Sequence, residues 1–398
     1  MVSWGSLRAG AGSEGEFMGR CYTSGHDHTA FLVRWMARLM RIGLGLLAVF
    51  LVLFVTSAGC STIGYYSQAI SGHFKLMRGR ESIEALLADP QLDDGLRVQL
   101  QTVADARRFA VEALALPDNK SYSTYVATGR QAITWNVIAA PEFSLEPKRW
   151  CFPVAGCVSY RGYFDPEEAR TYADKLEEEG FDVAIGSASA YSTLGWFSDP
   201  VPDTMLRGGE YRYVATLFHE LAHQLLYVKD DSSFNEAYAS FVEQEGIRRW
   251  LTERGRAEEI ARYEAAEARK VDFLALLKRT REKLVGLYDS GRSEAEMRTD
   301  KAAIFAAMRR EYATLKTGKW GGYAGYDGWF RRELNNARLV SVATYRRYIP
   351  AFEALFEEAG RDLPTFYELA EALGKLPRDE RRARMDALLA VGDDAGTS

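Results

Sequence analysis

Two histidines one helical turn apart, in His219-Glu220-Leu221-Ala222-His223, constrain this chain more than any other feature. Residues i and i+4 share a helix face, so both imidazoles can reach one metal ion while Glu220 projects beside them. The chain holds only 5 histidines in 398 residues, and chance places such a motif in fewer than about one chain in a hundred of this composition. The flanking residues Tyr211, Val214, Leu217, Phe218, Leu221, Leu225 and Leu226 form an apolar stripe at helical spacing, so the motif is expected on a buried amphipathic helix. The chemistry these residue types serve is hydrolysis: a zinc ion lowers the pKa of a water and polarises a carbonyl, and the glutamate takes the proton. One zinc ion per chain is therefore expected.

A catalytic zinc needs a third protein ligand. His26 and His28 precede an apolar segment and His73 follows it closely, and Leu226 and Lys229 stand where an HExxHxxGxxH pattern would put Gly and His. A carboxylate on the following helix is expected instead. Phe234-Asn-Glu-Ala-Tyr-Ala-Ser240 supplies Glu236, and it resembles the Asn-Glu-Ala element of the thermolysin-like glutamate-zincins. The competing role for Glu236 is a capping box with Ser233, satisfying a helix amide. Ser240 and Glu243 lie further along the same helix and are candidates to hydrogen-bond a ligand histidine; the clan usually has Asp at the position of Ser240. For stabilising an oxyanion, Tyr238, Tyr323, Tyr326 and Tyr345 are all available.

Ile42 to Ala58 is almost wholly apolar, follows Arg34, Arg38 and Arg41, and leads into Ser57-Ala-Gly-Cys60. That pattern is a lipoprotein signal, here 36–60, with Cys60 as the lipidated residue; an uncleaved signal anchor is the alternative. Residues 1–35 read as a disordered or mis-assigned extension. The exported chain would face the periplasm, on the inner or outer membrane. The remaining pair, Cys151 and Cys157, is then expected as a local disulfide, with metal ligation as the weaker alternative. A net charge of −5 without a basic aromatic stretch excludes a nucleic-acid partner. Nothing in the sequence fixes the oligomeric state.

The expected body, 61–391, is α+β and mainly helical, zincin-like, with a small sheet preceding the zinc-binding helix and a tail from Gly392 to Ser398. Ser61 to Leu116 reads as helical, Ser121 to Phe164 as strands and loops, and Asp165-Pro-Glu-Glu168 as a helix start. Asp182 to Tyr191 reads as a strand whose edge would receive an extended substrate. Residues 256–315 read as a helical hairpin with solvated charges, and Trp329 to Leu373 as helices broken at Pro350 and Pro364.

Leu116-Pro-Asp-Asn, Trp150-Cys-Phe-Pro, Tyr160-Arg-Gly-Tyr-Phe164, Ala190-Tyr-Ser-Thr-Leu-Gly-Trp-Phe197, the HELAH motif, Phe234-Asn-Glu236 and Asn335-Asn-Ala-Arg338 together resemble a bacterial family of zinc-dependent aminopeptidases. The resemblance implies a lipoprotein-type peptidase with His219, His223 and Glu236 as ligands and Glu220 as base. An aminopeptidase must also hold the substrate's ammonium, and Asp199 and Glu210 are the first candidates. Asn335, Asn336 and Arg338 would bind substrate or form a helix-packing cluster. An endopeptidase acting on envelope proteins, or a lipoprotein merely stapled by zinc, are the competing readings.

Overall fold

The computed structural model describes residues 40, 59–152, 156–190, 193, 197–343 and 348–395. Most of the expected signal, the Cys60 side chain and Tyr345 lie outside the described residues. The chain divides into Met1–Gly64 and Tyr65–Ser398, and the architecture below is that of the second unit.

The N-terminal helical stretch is three helices: α1 (Gly59–Arg78), then, after the short strand β1 (Glu81–Ser82), α2 (Ile83–Ala88) and α3 (Asp94–Glu112). The aromatic, β-branched region that follows forms β2 (Thr124–Val126), β3 (Thr134–Pro141), β4 (Trp150–Phe152), β5 (Gly156–Val158) and β6 (Arg161–Tyr163). Next comes α4 (Pro166–Glu178), with Asp165 accepting from the backbone N–H groups of Glu167 and Glu168, and then β7 (Phe181–Ala188).

β3 is the centre of an antiparallel sheet ordered β6-β3-β7 and is buried on both faces. Val137 and Ala139 pack on Ala169, Ala173 and Leu176 of α4. Ile138 and Ala140 face the opposite way, toward Phe273, Leu276 and Phe305. Such a strand reads as continuously apolar, without polar alternation. A second small sheet has order β1-β2-β8, where β8 (Val201–Pro202) runs parallel to β2.

The rest is helical: α5 (Glu210–Leu225), α6 (Ser232–Glu253), α7 (Ala257–Tyr288), α8 (Glu294–Thr317), α9 (Asp327–Arg331), α10 (Asn336–Ala343), α11 (Ile349–Glu358), α12 (Leu363–Lys375) and α13 (Arg378–Ala395). α7 and α8 are the expected hairpin, with Ser293 and Glu296 forming a reciprocal cap. Its charges are not all solvated, since Lys301 is buried against Asp182 at 2.6 Å. Pro350 and Pro364 lie in the first turns of α11 and α12, where their missing N–H costs nothing. Gly392 to Ala395, expected as part of a tail, belong to α13, and 396–398 lie outside the described residues. The largest core joins α3, α5, α6, α11, α12 and α13 around Phe218, Phe241, Trp250 and Phe366. The fold is α+β and mostly helical, with small sheets, as the sequence implies. Among the described residues no helix is long and apolar enough to cross a membrane.

Candidate metal centre

The apolar stripe of α5 determines which way its histidines point. Leu217, Phe218, Leu221 and Ala222 are buried, and Phe218 packs against Phe109 and Trp250. α6 can lie close because Gly246 presents no side chain; a Cβ there would stand 2.7 Å from the Phe218 ring. The opposite edge of α5 thus faces the first turns of α6.

The loop joining the two helices is held at three points. Asn235 accepts from Val228 N–H and donates to Val228 C=O, both at 2.7 Å. Asp231 caps α6 by accepting from Phe234 N–H at 3.2 Å and pairs with buried Arg381 of α13 at 2.8 Å. Asp230, in the left-handed region at φ 66°, accepts from Cys157 N–H at 2.6 Å. Cys151 and Cys157 are disulfide-bonded across the β4–β5 hairpin, as expected. Gly156 has φ 71°, and a Cβ there would strike the Asp230 carboxylate.

These constraints bring His219, His223 and Glu236 together. The two Nε2 atoms are 3.1 Å apart, and Glu236 oxygens lie 3.4 Å from His219 Nε2 and 3.8 Å from His223 Nε2. Ligand atoms four-coordinate around zinc, at about 2.0–2.1 Å from nitrogen, are separated by roughly 3.3 Å, so this donor set fits such an ion. With Asp231 as the N-cap, Glu236 is not occupied in a capping box with Ser233. Behind His219, its Nδ1 lies 3.0 Å from Glu243 Oε2, which fixes the ring with Nε2 toward the cluster. Ser240 is buried in α6. Glu220 is half-buried on α5 between the two histidines.

Burial works to depress the His219 imidazole, but hydrogen bonds to Glu236 and Glu243 and their charges outweigh it and hold its pKa well above the ordinary value. Burial and the neighbouring His219 push His223 down to about 4. Burial would raise Glu236, yet the two rings hold it below the usual carboxylate range. Two carboxylates converging on two imidazoles favour positive charge at this point, whether a proton or a divalent cation.

One further group, which feels the charge of Glu236, was not singled out by the sequence. Tyr227, half-buried in the loop after α5, has its phenol pKa raised by burial and then by the carboxylates of Glu236 and Asp230. The only signal for it was position, four residues beyond His223.

Several expected site residues lie elsewhere. Tyr238 is fully buried against Phe352 and Phe366, on the face of α6 away from Glu236, so it does not reach a substrate. Tyr326 stacks on Phe273 in the hairpin core. Tyr323 lies beneath Arg269, its ring 4.2 Å from the guanidinium. Asp199 is 0 % exposed, and its carboxylate accepts from Thr193 N–H and hydroxyl at 2.9 and 2.8 Å. Burial raises its pKa to about 6, and it is not presented to a substrate. Glu210 pairs with Arg256 at 2.7 Å.

Side chains of the Asn335–Arg338 segment are engaged in packing within the fold. Asn336, fully buried, donates to the carbonyls of Pro141, Glu142 and Ser144 and accepts from Tyr288. Arg338 lies over Trp329. Asn335 donates to Val183 C=O at 2.9 Å and Arg332 to Ile185 C=O at 3.2 Å. That stretch of the β7 edge is therefore capped by side chains and does not offer the free carbonyls expected of a substrate-binding strand.

A family model described as "Putative aminopeptidase" matches residues 64–385. The chain belongs to that family. The aminopeptidase match spans α5, α6 and every residue of the cluster, and it leaves out the apolar run and Cys60. No curated protein and no solved structure matches the chain.

Proposed function

We propose that this member of the aminopeptidase family is a zinc-dependent, zincin-like peptidase that removes N-terminal residues from peptides and is held at the bacterial envelope by a lipid on Cys60, facing the periplasm. His219, His223 and Glu236 would hold the ion. Bound zinc would supply Lewis acidity, polarising a peptide carbonyl and acidifying a water. Glu220 accepts the proton of the attacking water as its oxygen bonds to the carbonyl carbon, and returns a proton to the amine as the C–N bond breaks. Glu243 keeps the His219 ring in register and, by accepting the hydrogen bond from Nδ1, leaves Nε2 as the atom turned toward the ion.

The observation that carries this reading is the convergence of three donors from two helices at separations of 3.1, 3.4 and 3.8 Å. The capped stretch of β7 speaks against an open endopeptidase groove along that edge. The test is metal content together with hydrolysis of N-terminally free and blocked peptides by the natural chain and by Glu220→Gln. We expect stoichiometric zinc in both proteins, turnover of free peptides only, and a loss of roughly a thousandfold in the variant. Hydrolysis indifferent to blocking would remove the exopeptidase assignment, and turnover by Glu220→Gln at the natural rate would remove the base.

A further inference from the structure

α1 has two apolar faces and the fold uses one. On the buried side, Leu76 packs with Val126, Ile133 and Phe164, Gln68 accepts from Phe164 N–H at 3.0 Å, and Tyr65 meets Tyr163. On the other side Tyr66, Ile70 and Phe74, four residues apart, fall within about 80° of arc. They are 37 %, 55 % and 56 % exposed. Phe197, 54 % exposed, extends the patch; its ring lies 4.7 Å from His73, which in turn touches Phe74. Large apolar side chains gathered on one exposed face mark an interaction surface.

Charge and chain position identify what covers it. α1 contains no acidic residue and ends in Lys75 and Arg78, although the whole chain has 55 acidic residues and a net charge of −5. Its first residue, Gly59, directly follows the apolar run Ile42–Ala58 and precedes Cys60. Tyr66 is thus only two helical turns from the expected point of membrane attachment. An apolar face flanked by lysine and arginine is what an anionic lipid surface binds.

We propose that the Tyr66–Ile70–Phe74 face of α1, with Phe197, rests on the surface of an anionic bilayer, so that the chain docks flat against the membrane and does not merely hang from it. The proposal rests on the reading of the chain as membrane-attached. Lys75 and Arg78 engage lipid phosphates while the three apolar side chains enter the interface.

The test uses the full chain in vesicles containing phosphatidylglycerol, with the photo-crosslinking residue benzoylphenylalanine placed at position 70 or, as a control, at position 98, where Val98 of α3 is 66 % exposed. Flotation of the vesicles reports attachment, and mass spectrometry identifies the adducts. Docking predicts lipid adducts roughly tenfold more abundant at 70 than at 98, falling severalfold when Lys75→Glu and Arg78→Glu are combined. A chain that fails to float overturns both attachment and docking. A chain that floats, yet gives equal lipid adducts at the two positions, or adducts at 70 with its own residues 42–58 or with a second copy, overturns docking and leaves attachment standing.

Discussion

Around Asn336 every polar group is answered: its amide bridges three carbonyls and a tyrosine, its backbone N–H reaches Asp182 at 2.7 Å, and Asp182 pairs with Lys301. Around His219, where the side chains are less deeply buried, groups from two helices converge on one point. Two imidazole nitrogens and two carboxylate oxygens face one another, and His223 Nδ1 is buried with no hydrogen-bond partner among the described residues. A satisfied network of the first kind locks elements together. A convergence of lone pairs is tolerated only where a positive charge joins it. The first cluster joins β3, β7, α7, α8 and α10; the second has the form of a binding site.

The contrast can be broken most decisively at Glu236. Glu236→Ala should weaken zinc binding by more than about a hundredfold, since even partners one shell further out are worth 10–100-fold. Competition with a chromogenic chelator measures it, and unchanged affinity would end the comparison. Asn336→Ala should do the reverse, lowering the free energy of unfolding by about 3 kcal/mol because it strands buried carbonyls. Urea titration would register that loss, with zinc affinity unmoved. Glu243→Gln keeps an acceptor for His219 and removes only its charge, so a loss of roughly tenfold in zinc affinity is expected. An isothermal titration showing no change would reduce Glu243 to a bystander.

The grouping of His219, His223 and Glu236 was legible because helical periodicity fixes the first two and the resemblance of Phe234-Asn-Glu236 to the Asn-Glu-Ala element points to the third. The α7–α8 hairpin and the cap at Asp165 were legible for the same local reason. Tertiary placement decided the rest. Asn335 and Asn336 carry side chains suited to substrate carbonyls, and the carbonyls they meet belong to this chain's own sheet. Asp199 reads as a free acid until Thr193 folds over it. Tyr238 differs from Tyr227 in nothing a composition could show, yet one is buried in the aromatic core and the other is half-buried in the loop after α5. The polar clamp of Asn235 on Val228 was hidden in a motif read only for its glutamate.

The bond between Cys151 and Cys157 reaches further than the hairpin it closes. Its second half-cystine donates to Asp230, and Asp230 belongs to the span that separates the histidine-bearing helix from the glutamate-bearing one. The distance between two groups of the cluster is thus braced from outside the helical body, by a covalent staple whose persistence depends on an oxidising environment. Under reducing conditions that brace would open, which couples the integrity of the centre to the redox state of its surroundings.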